Sequence, residues 1–98
     1  MNMQNLMAQA QKMQRDIQKK KDEIDKTIFT GKSEMVEVQM NGKKEMVSIK
    51  FLNKDINSDD LEILEDMIVI ACKEATQKID KEIEEKLGSI GSGLGGLF

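Results

Sequence analysis

The strongest constraint on the fold is a segment that alternates apolar and polar residues with the period of a β-strand. Residues 34–52 read EMVEVQMNGKKEMVSIKFL, and a period of two indicates strands that are apolar on one face only. Asn41-Gly42 stands at the centre of this segment. The dipeptide favours a two-residue type I′ turn, because both of its residues tolerate a positive φ. The segment is therefore predicted to be a β-hairpin.

A two-residue turn at Asn41-Gly42 also predicts the register of the hairpin. Val36 then lies opposite Val47, and Val38 lies opposite Glu45. One face of the two strands collects the apolar side chains, which are Val36, Val38, Met40, Val47, Ile49 and Phe51. A sheet with one apolar face needs a layer of helices to cover it.

The residues before the hairpin have the pattern of one long helix. At heptad spacing, position a is taken by Met3, Ala10, Ile17 and Ile24, and position d by Leu6, Met13, Lys20 and Thr27. An ordinary amphipathic core helix is the alternative, since Met7 and Ile28 also fit a period of 3.6. The helix would be about 38 Å long, whereas three strands span only about 14 Å. We therefore expect its N-terminal half to extend beyond the sheet.

The predicted fold is an α+β, two-layer α-β-β-β-α protomer with a three-stranded antiparallel meander sheet. Its single domain covers residues 1–87, with helices at 3–27 and 58–87 and strands at 28–31, 34–41 and 43–52; a flexible glycine-rich tail follows at 88–98. The second helix is apolar on every side at residues 67–72, which is typical of a helix packed between its own sheet and a second subunit. The predicted dimer interface is Met67, Ile68, Val69, Ile70 and Cys72.

The composition argues against several classes of function. The chain has no histidine, so the commonest general base and the commonest transition-metal ligand are missing. It also has no phosphate-binding loop and no acidic metal-binding loop. We predict a protein that is not an enzyme and has no metal, cofactor or small-molecule substrate. The lone Cys72 is predicted to be a buried core residue. The sequence shows neither a transmembrane segment nor a signal peptide, so we expect a cytoplasmic protein without membrane contact.

The net charge of −3 is unevenly distributed. Residues 1–28 have six Lys/Arg and four Asp/Glu, a net +2, whereas residues 55–98 have four against eleven, a net −7. On the first helix, one outward face carries Lys12, Arg15, Lys19 and Lys26, with Lys20 and Lys21 beside it. A solvated helix face is the commoner explanation for such a run. A stripe that contacts phosphates is the functional alternative, although a pI near 5.0 is unusual for a DNA-binding domain.

Four segments, taken together and in order, resemble a known family. They are MQNLMAQAQKMQ at residues 3–14, VEVQMNGK at 36–43, LEDMIVIAC at 64–72, and the glycine-rich end. Over nearly the whole chain, this sequence is similar to the YbaB/EbfC family of bacterial nucleoid-associated proteins. The resemblance implies an intertwined homodimer with projecting helical arms. It also implies largely sequence-tolerant binding to the phosphate backbone of double-stranded DNA, in the nucleoid, with suggested roles in nucleoid organisation and gene regulation.

Transferred to this sequence, the DNA contacts of the family point chiefly to Lys12, Arg15 and Lys19, and more weakly to Lys78, Lys81 and Lys86. The sequence departs from the family in the residues after Gly31, where further glycines are common, and in the absence of a tail proline. The alternative function is a protein-interaction or chaperone-like module without DNA binding. It would use the adaptable methionines of the N-terminal helix: Met1, Met3, Met7 and Met13.

Overall fold

The computed structural model describes residues 2–93, with side chains as far as Gly88. The elements are α1 (Met3–Lys26), β1 (Phe29–Lys32), β2 (Val36–Met40), β3 (Met46–Phe51), a 3-10 turn at Ser58–Asp60, and α2 (Leu61–Gly93). The three strands form one antiparallel sheet in the order β1-β2-β3. The predicted α-β-β-β-α layout with a meander sheet is confirmed.

Helix α1 extends well beyond the sheet, as its length predicts. Asn2 caps its first turn, because the Asn2 side chain accepts a hydrogen bond from the Gln4 backbone N–H at 3.0 Å. The side chains of residues 3–16 are all exposed, Ile17 is half-buried, and Ile24 is buried. The helix therefore contacts the rest of the chain only through its C-terminal part. Its N-terminal part forms an arm.

The turn between β2 and β3 differs from the predicted type I′ turn. Val36 pairs with Phe51 and Val38 with Ile49, which shifts the register by four residues from the predicted one. The connecting loop covers residues 41–45, and its positive φ falls on Lys44, at 64°. Inside the loop, the Asn41 side-chain oxygen accepts hydrogen bonds from the backbone N–H groups of residues 43 and 45. Asn41 therefore stabilises a longer loop than the sequence predicted.

The physical reason for the different turn lies in the packing of Gly42 against α1. A Cβ atom on Gly42 would lie 2.0 Å from the carbonyl oxygen of Ile24, and the Gly42 backbone N–H donates to the carbonyl of Asp25 at 3.2 Å. The glycine is thus required for a close approach of two backbones and not for a positive φ. Because the register shift is an even number of residues across 36–39 and 48–51, these side chains keep their predicted faces. An irregularity between Gln39 and Met40 pairs Met40 with Met46, so the regular alternation ends there.

Helix α2 packs on β1 and β2 and forms the core with them. The closest approach is at Gly31, where a Cβ atom would lie 1.9 Å from the carbonyl oxygen of Ala71 and 2.7 Å from the backbone nitrogen of Ala75. The buried core consists of Ile24, Phe29, Val36, Val38, Met40, Leu64, Ala71, Ala75 and Ile79. Cys72, predicted to be buried, is only half-buried. Helix α2 continues to Gly93, with a break at Gly88. Residues 94–98 of the predicted flexible tail lie outside the described part.

Strand β3 is exposed along its whole length. Ile49 and Phe51 lie on the same face as Val38 and Val36, their cross-strand partners. The two β2 side chains are 0% exposed, whereas Ile49 and Phe51 are each 40% exposed. The sequence predicted that the whole apolar face of the hairpin would be covered by helices, and this is wrong for the single chain. The helical layer covers β1 and β2 and leaves β3 open.

Candidate nucleic-acid interface

Four basic residues of α1 form one continuous line on the arm, which we call the basic stripe: Lys12, Arg15, Lys19 and Lys26. All four are exposed. At 3.6 residues per turn they lie within an arc of about 60°, and the line is about 21 Å long. Ile17 and Ile24 lie on the opposite side of the helix and pack toward the domain. The packing of α1 therefore turns the basic stripe outward.

The structure separates the other two predicted DNA-binding residues of α1 from this stripe. Lys20 is exposed but lies on a flank of the helix. Lys21 lies on the packed side, where its Nζ is 3.2 Å from Oδ2 of Asp25 and its side chain is only 26% exposed. Of the six residues predicted on this helix, the fold therefore brings together four.

The stripe residues differ from the lysines of α2 in their ion pairs. Within residues 2–88, the ion pairs of the structure do not involve any residue of the basic stripe. On α2, each of the three lysines predicted as weaker contacts lies within 4.0 Å of a glutamate one turn away, in the pairs Lys78–Glu74, Lys81–Glu85 and Lys86–Glu82. Exposed pairs of this kind contribute little to stability. Each nearby carboxylate nevertheless lowers the positive potential that the lysine presents.

Lys78 has a further partner, since its Nζ donates a hydrogen bond to the carbonyl oxygen of Thr30 at 2.7 Å. This contact ties α2 to β1 and occupies the ammonium group. Three carboxylates, Asp16, Asp22 and Glu23, flank the basic stripe on α1, so the arm remains moderately and not strongly positive. The chain thus presents a positive arm beside an acidic second helix.

The residues predicted for a dimer interface divide into two sets, since Met67, Ile68 and Cys72 pack against the core and only Val69 and Ile70 face outward. Val69 is 53% and Ile70 54% exposed, while Met67, Ile68 and Cys72 are half-buried. Strand β3 adds apolar side chains that the sequence analysis assigned to the internal core, and Ile49 and Phe51 are the clearest examples. The order of the strands could have predicted this exposure. A single helix on one side of a three-stranded meander leaves one outer strand uncovered.

The described part of the chain shows neither a metal-binding cluster nor a membrane-spanning helix. Among residues 2–93, no three His, Cys, Asp or Glu side chains come together in a way that could hold a metal ion. No helix in this range has the length and apolar character that crossing a membrane requires.

Comparison with known proteins decides the family. The model of the YbaB/EbfC DNA-binding family matches residues 1–94. The chain belongs to this family. Among similar relatives, a nucleoid-associated protein of Ligilactobacillus salivarius is 35% identical over 99 residues, covering 99% of this chain and 95% of the relative. A nucleoid-associated protein of Streptococcus suis is 41% identical over 96 residues, covering 96% and 97%.

A third YbaB/EbfC relative, a nucleoid-associated protein of Lactococcus lactis, is 40% identical over 97 residues. The resemblance stated from the four sequence segments is confirmed. The YbaB/EbfC family is a DNA-binding family and not a family of enzymes, which agrees with the prediction made from the missing histidine and the missing nucleotide-binding motifs.

Proposed function

We propose that this protein is a homodimeric, nucleoid-associated protein that binds the phosphate backbone of double-stranded DNA through the basic stripe of α1. Family membership and the names of the relatives support DNA as the partner. One observation carries the mechanism: within residues 2–88, none of the four stripe residues forms an ion pair with a carboxylate, whereas the three predicted lysines of α2 do. The protein acts in the bacterial cytoplasm, in nucleoid organisation and gene regulation.

The chemistry of the stripe favours binding that is tolerant of sequence. Lysine and arginine side chains on one line gain affinity by releasing counter-ions from phosphates, and this gain is independent of the bases. The described part of α1 carries no aromatic side chain that could stack on a base or wedge between base pairs. The acidic residues of α2 repel DNA and so orient it toward the arm. Contacts of this kind position a protein on a duplex with little base readout.

The open strand β3 supports the homodimer. The three-stranded sheet is about 14 Å wide, and one helix covers only about 10 Å of it. A helix from a second copy, placed beside α2, would cover Ile49 and Phe51 and contact Val69 or Ile70. Full burial of each such side chain contributes about 1.5–3 kcal/mol. A dimer also carries two basic stripes, and the second stripe to bind benefits from the effective concentration that the first one creates.

The test compares two triple variants with the same change in charge. Lys12→Gln/Arg15→Gln/Lys19→Gln removes three cations of the stripe, and Lys78→Gln/Lys81→Gln/Lys86→Gln removes three cations of α2. Fluorescence anisotropy measures the affinity for two unrelated duplexes over a range of salt concentrations. Each lost phosphate contact flattens the slope of log K against log salt by about 0.9. In a dimer, the stripe variant therefore flattens the slope by up to about 5, while the α2 variant stays close to wild type.

The design separates the stripe from the overall charge. Equal losses in the two variants would show that only net charge matters and would contradict the assignment to α1. Affinities for the two duplexes that differ by more than about tenfold would contradict sequence tolerance. Wild-type protein that binds neither duplex at low salt would favour the interaction-module alternative, which a pull-down of partner proteins resistant to nuclease treatment then tests.

A further inference from the structure

The tip of α1 is chemically different from the rest of the arm. The first charged residue of the chain is Lys12, so the tip carries amide and apolar side chains only. Its apolar residues form a line at heptad positions a, d and e, which we call the tip seam: Met3, Leu6, Met7, Ala10 and Met13. We propose that the tip seam pairs with the tip seam of a second molecule, linking copies of the protein through their arms.

The tip seam has no cover within the described part of the chain. Met3 is 75%, Leu6 44%, Met7 59% and Met13 56% exposed. Contact between α1 and the domain begins at Ile17, which is half-buried, and is complete only at Ile24. Large apolar side chains exposed together on one helix face are typical of an interaction site. We therefore expect the seam to bind a partner outside the domain.

The lack of charge points to a second copy as that partner. A seam that selected an acidic or basic partner would be flanked by charges, but here the flanking heptad positions e and g hold Met7, Gln9 and Gln14, and the first charge at such a position is Asp16, beyond the seam. Two identical tips can approach without like-charge repulsion, although the whole chain has a net charge of −3. Their apolar positions match at a and d, as coiled-coil pairing requires.

Pairing of the tip seam is compatible with DNA binding by the basic stripe. In the same heptad, Lys12, Lys19 and Lys26 occupy position c and Arg15 position f, on the side of α1 away from the seam. Both surfaces can therefore be occupied at once. The free seam covers fewer than the three to four heptads that a sustained coiled coil needs. The pairing is therefore weak and reversible, and it strengthens when several copies are held close together, as on one duplex.

Sedimentation velocity over a concentration range of about 10 μM to 1 mM tests the pairing without DNA. The seam variant is Leu6→Gln/Met13→Gln, which removes both d positions of the tip. The matched control is Ala8→Gln, which places the same amide side chain on the opposite face of the same helical segment. Leucine, methionine and glutamine have similar helix propensities, and alanine has a slightly higher one, so circular dichroism should show similar helix content in all three proteins.

We expect the average mass of wild type and of the control to rise with concentration, and the association constant of the seam variant to fall at least about tenfold. A wild-type mass that stays constant over the range would overturn the proposal. So would association beyond the dimer that persists in the seam variant, or that disappears equally in the control. In the separate anisotropy assay with duplex DNA, a seam variant that loses affinity at concentrations without self-association would assign the seam to DNA and also overturn the proposal. Because the sedimentation measurement contains no DNA, its result is independent of the stripe assignment.

Discussion

Gly31, like Gly42, is a position at which one added atom would overlap the backbone of a helix. A Cβ atom on Gly31 would lie 1.9 Å from the carbonyl oxygen of Ala71 and 2.7 Å from the backbone nitrogen of Ala75. Both atoms belong to the α2 backbone, so no side-chain rotation can relieve the overlap. In Gly31→Ala, α2 must move away from β1 or β1 must bend.

The size of that movement sets the expected cost. Favourable contact distances between heavy atoms are about 3.5 Å, so the helix must retreat by about 1.5 Å. A retreat of this size opens gaps around Ala75 and Ile79, which are both 0% exposed. Gaps of 0.5–1 Å already remove about a quarter to a half of the dispersion energy of the atoms involved. Overpacking costs about 1–3 kcal/mol in well-packed cores, and a clash between backbones lies at the upper end, at about 3 kcal/mol.

Urea unfolding followed by far-UV circular dichroism measures this cost, because the chain has no tryptophan or tyrosine to report by fluorescence. With a slope of about 1.5 kcal/mol per molar urea, a loss of 3 kcal/mol moves the midpoint by about 2 M. Wild type and variant are compared at equal protein concentration, since association shifts apparent stability. Replacing a glycine by alanine at an unstrained position stabilises by about 0.4–1 kcal/mol, so a loss cannot arise from the unfolded chain.

Lys32→Ala, at the exposed end of the same strand, provides the control and should change the stability by less than about 0.5 kcal/mol. A midpoint for Gly31→Ala within about 0.5 M of wild type would refute the close approach. The double variant Gly31→Ala/Ala71→Gly checks the cause. It should be no more stable than Gly31→Ala, because the clash is with the Ala71 carbonyl and not with its side chain.

Two further predictions concern the open strand and the loop. Light scattering should give the mass of two chains for wild type and of one chain for Ile49→Lys or Ile70→Lys. The control Ser48→Lys, on the other face of β3, should stay dimeric. A wild-type mass of one chain would contradict the homodimer. Lys44→Gly should raise the free energy of unfolding by about 0.5 kcal/mol, because φ is 64° at this residue and its exposed ion pair with Asp80 contributes little. A lower urea midpoint would show that this ion pair outweighs the backbone strain.

Much of the candidate site was predictable, because it depends on local periodicity. The spacing of Lys12, Arg15 and Lys19 places them on one side of any helix that contains them. The apolar residues Ile17 and Ile24 also indicated which side faces the domain, and Ile24 is buried. The spacing did not show that Lys21 lies on the packed side in an ion pair with Asp25. The ion pairs that distinguish the lysines of α2 from those of α1 also depend on side-chain placement in the folded chain.

The sequence by itself determined the order of the elements, the apolar face of the hairpin, the length of the arm and the charge of each helix. All of these follow from repeats within one segment, since period and composition are local properties. Across residues 36–39 and 48–51, even the wrong register kept the right faces, because a shift by an even number of residues preserves alternation.

Only the tertiary structure decided how the segments meet. Gly42 lies against Ile24, so the loop takes a shape that a free Asn-Gly turn would not, and the positive φ moves to Lys44. The sequence around Gly31 does not show why a glycine is needed there. The reason is that the α2 backbone passes directly over it. The exposure of β3 follows from the placement of α2 over only two strands. These features depend on contacts between residues that are distant in sequence and close in space. No local sequence pattern encodes such contacts.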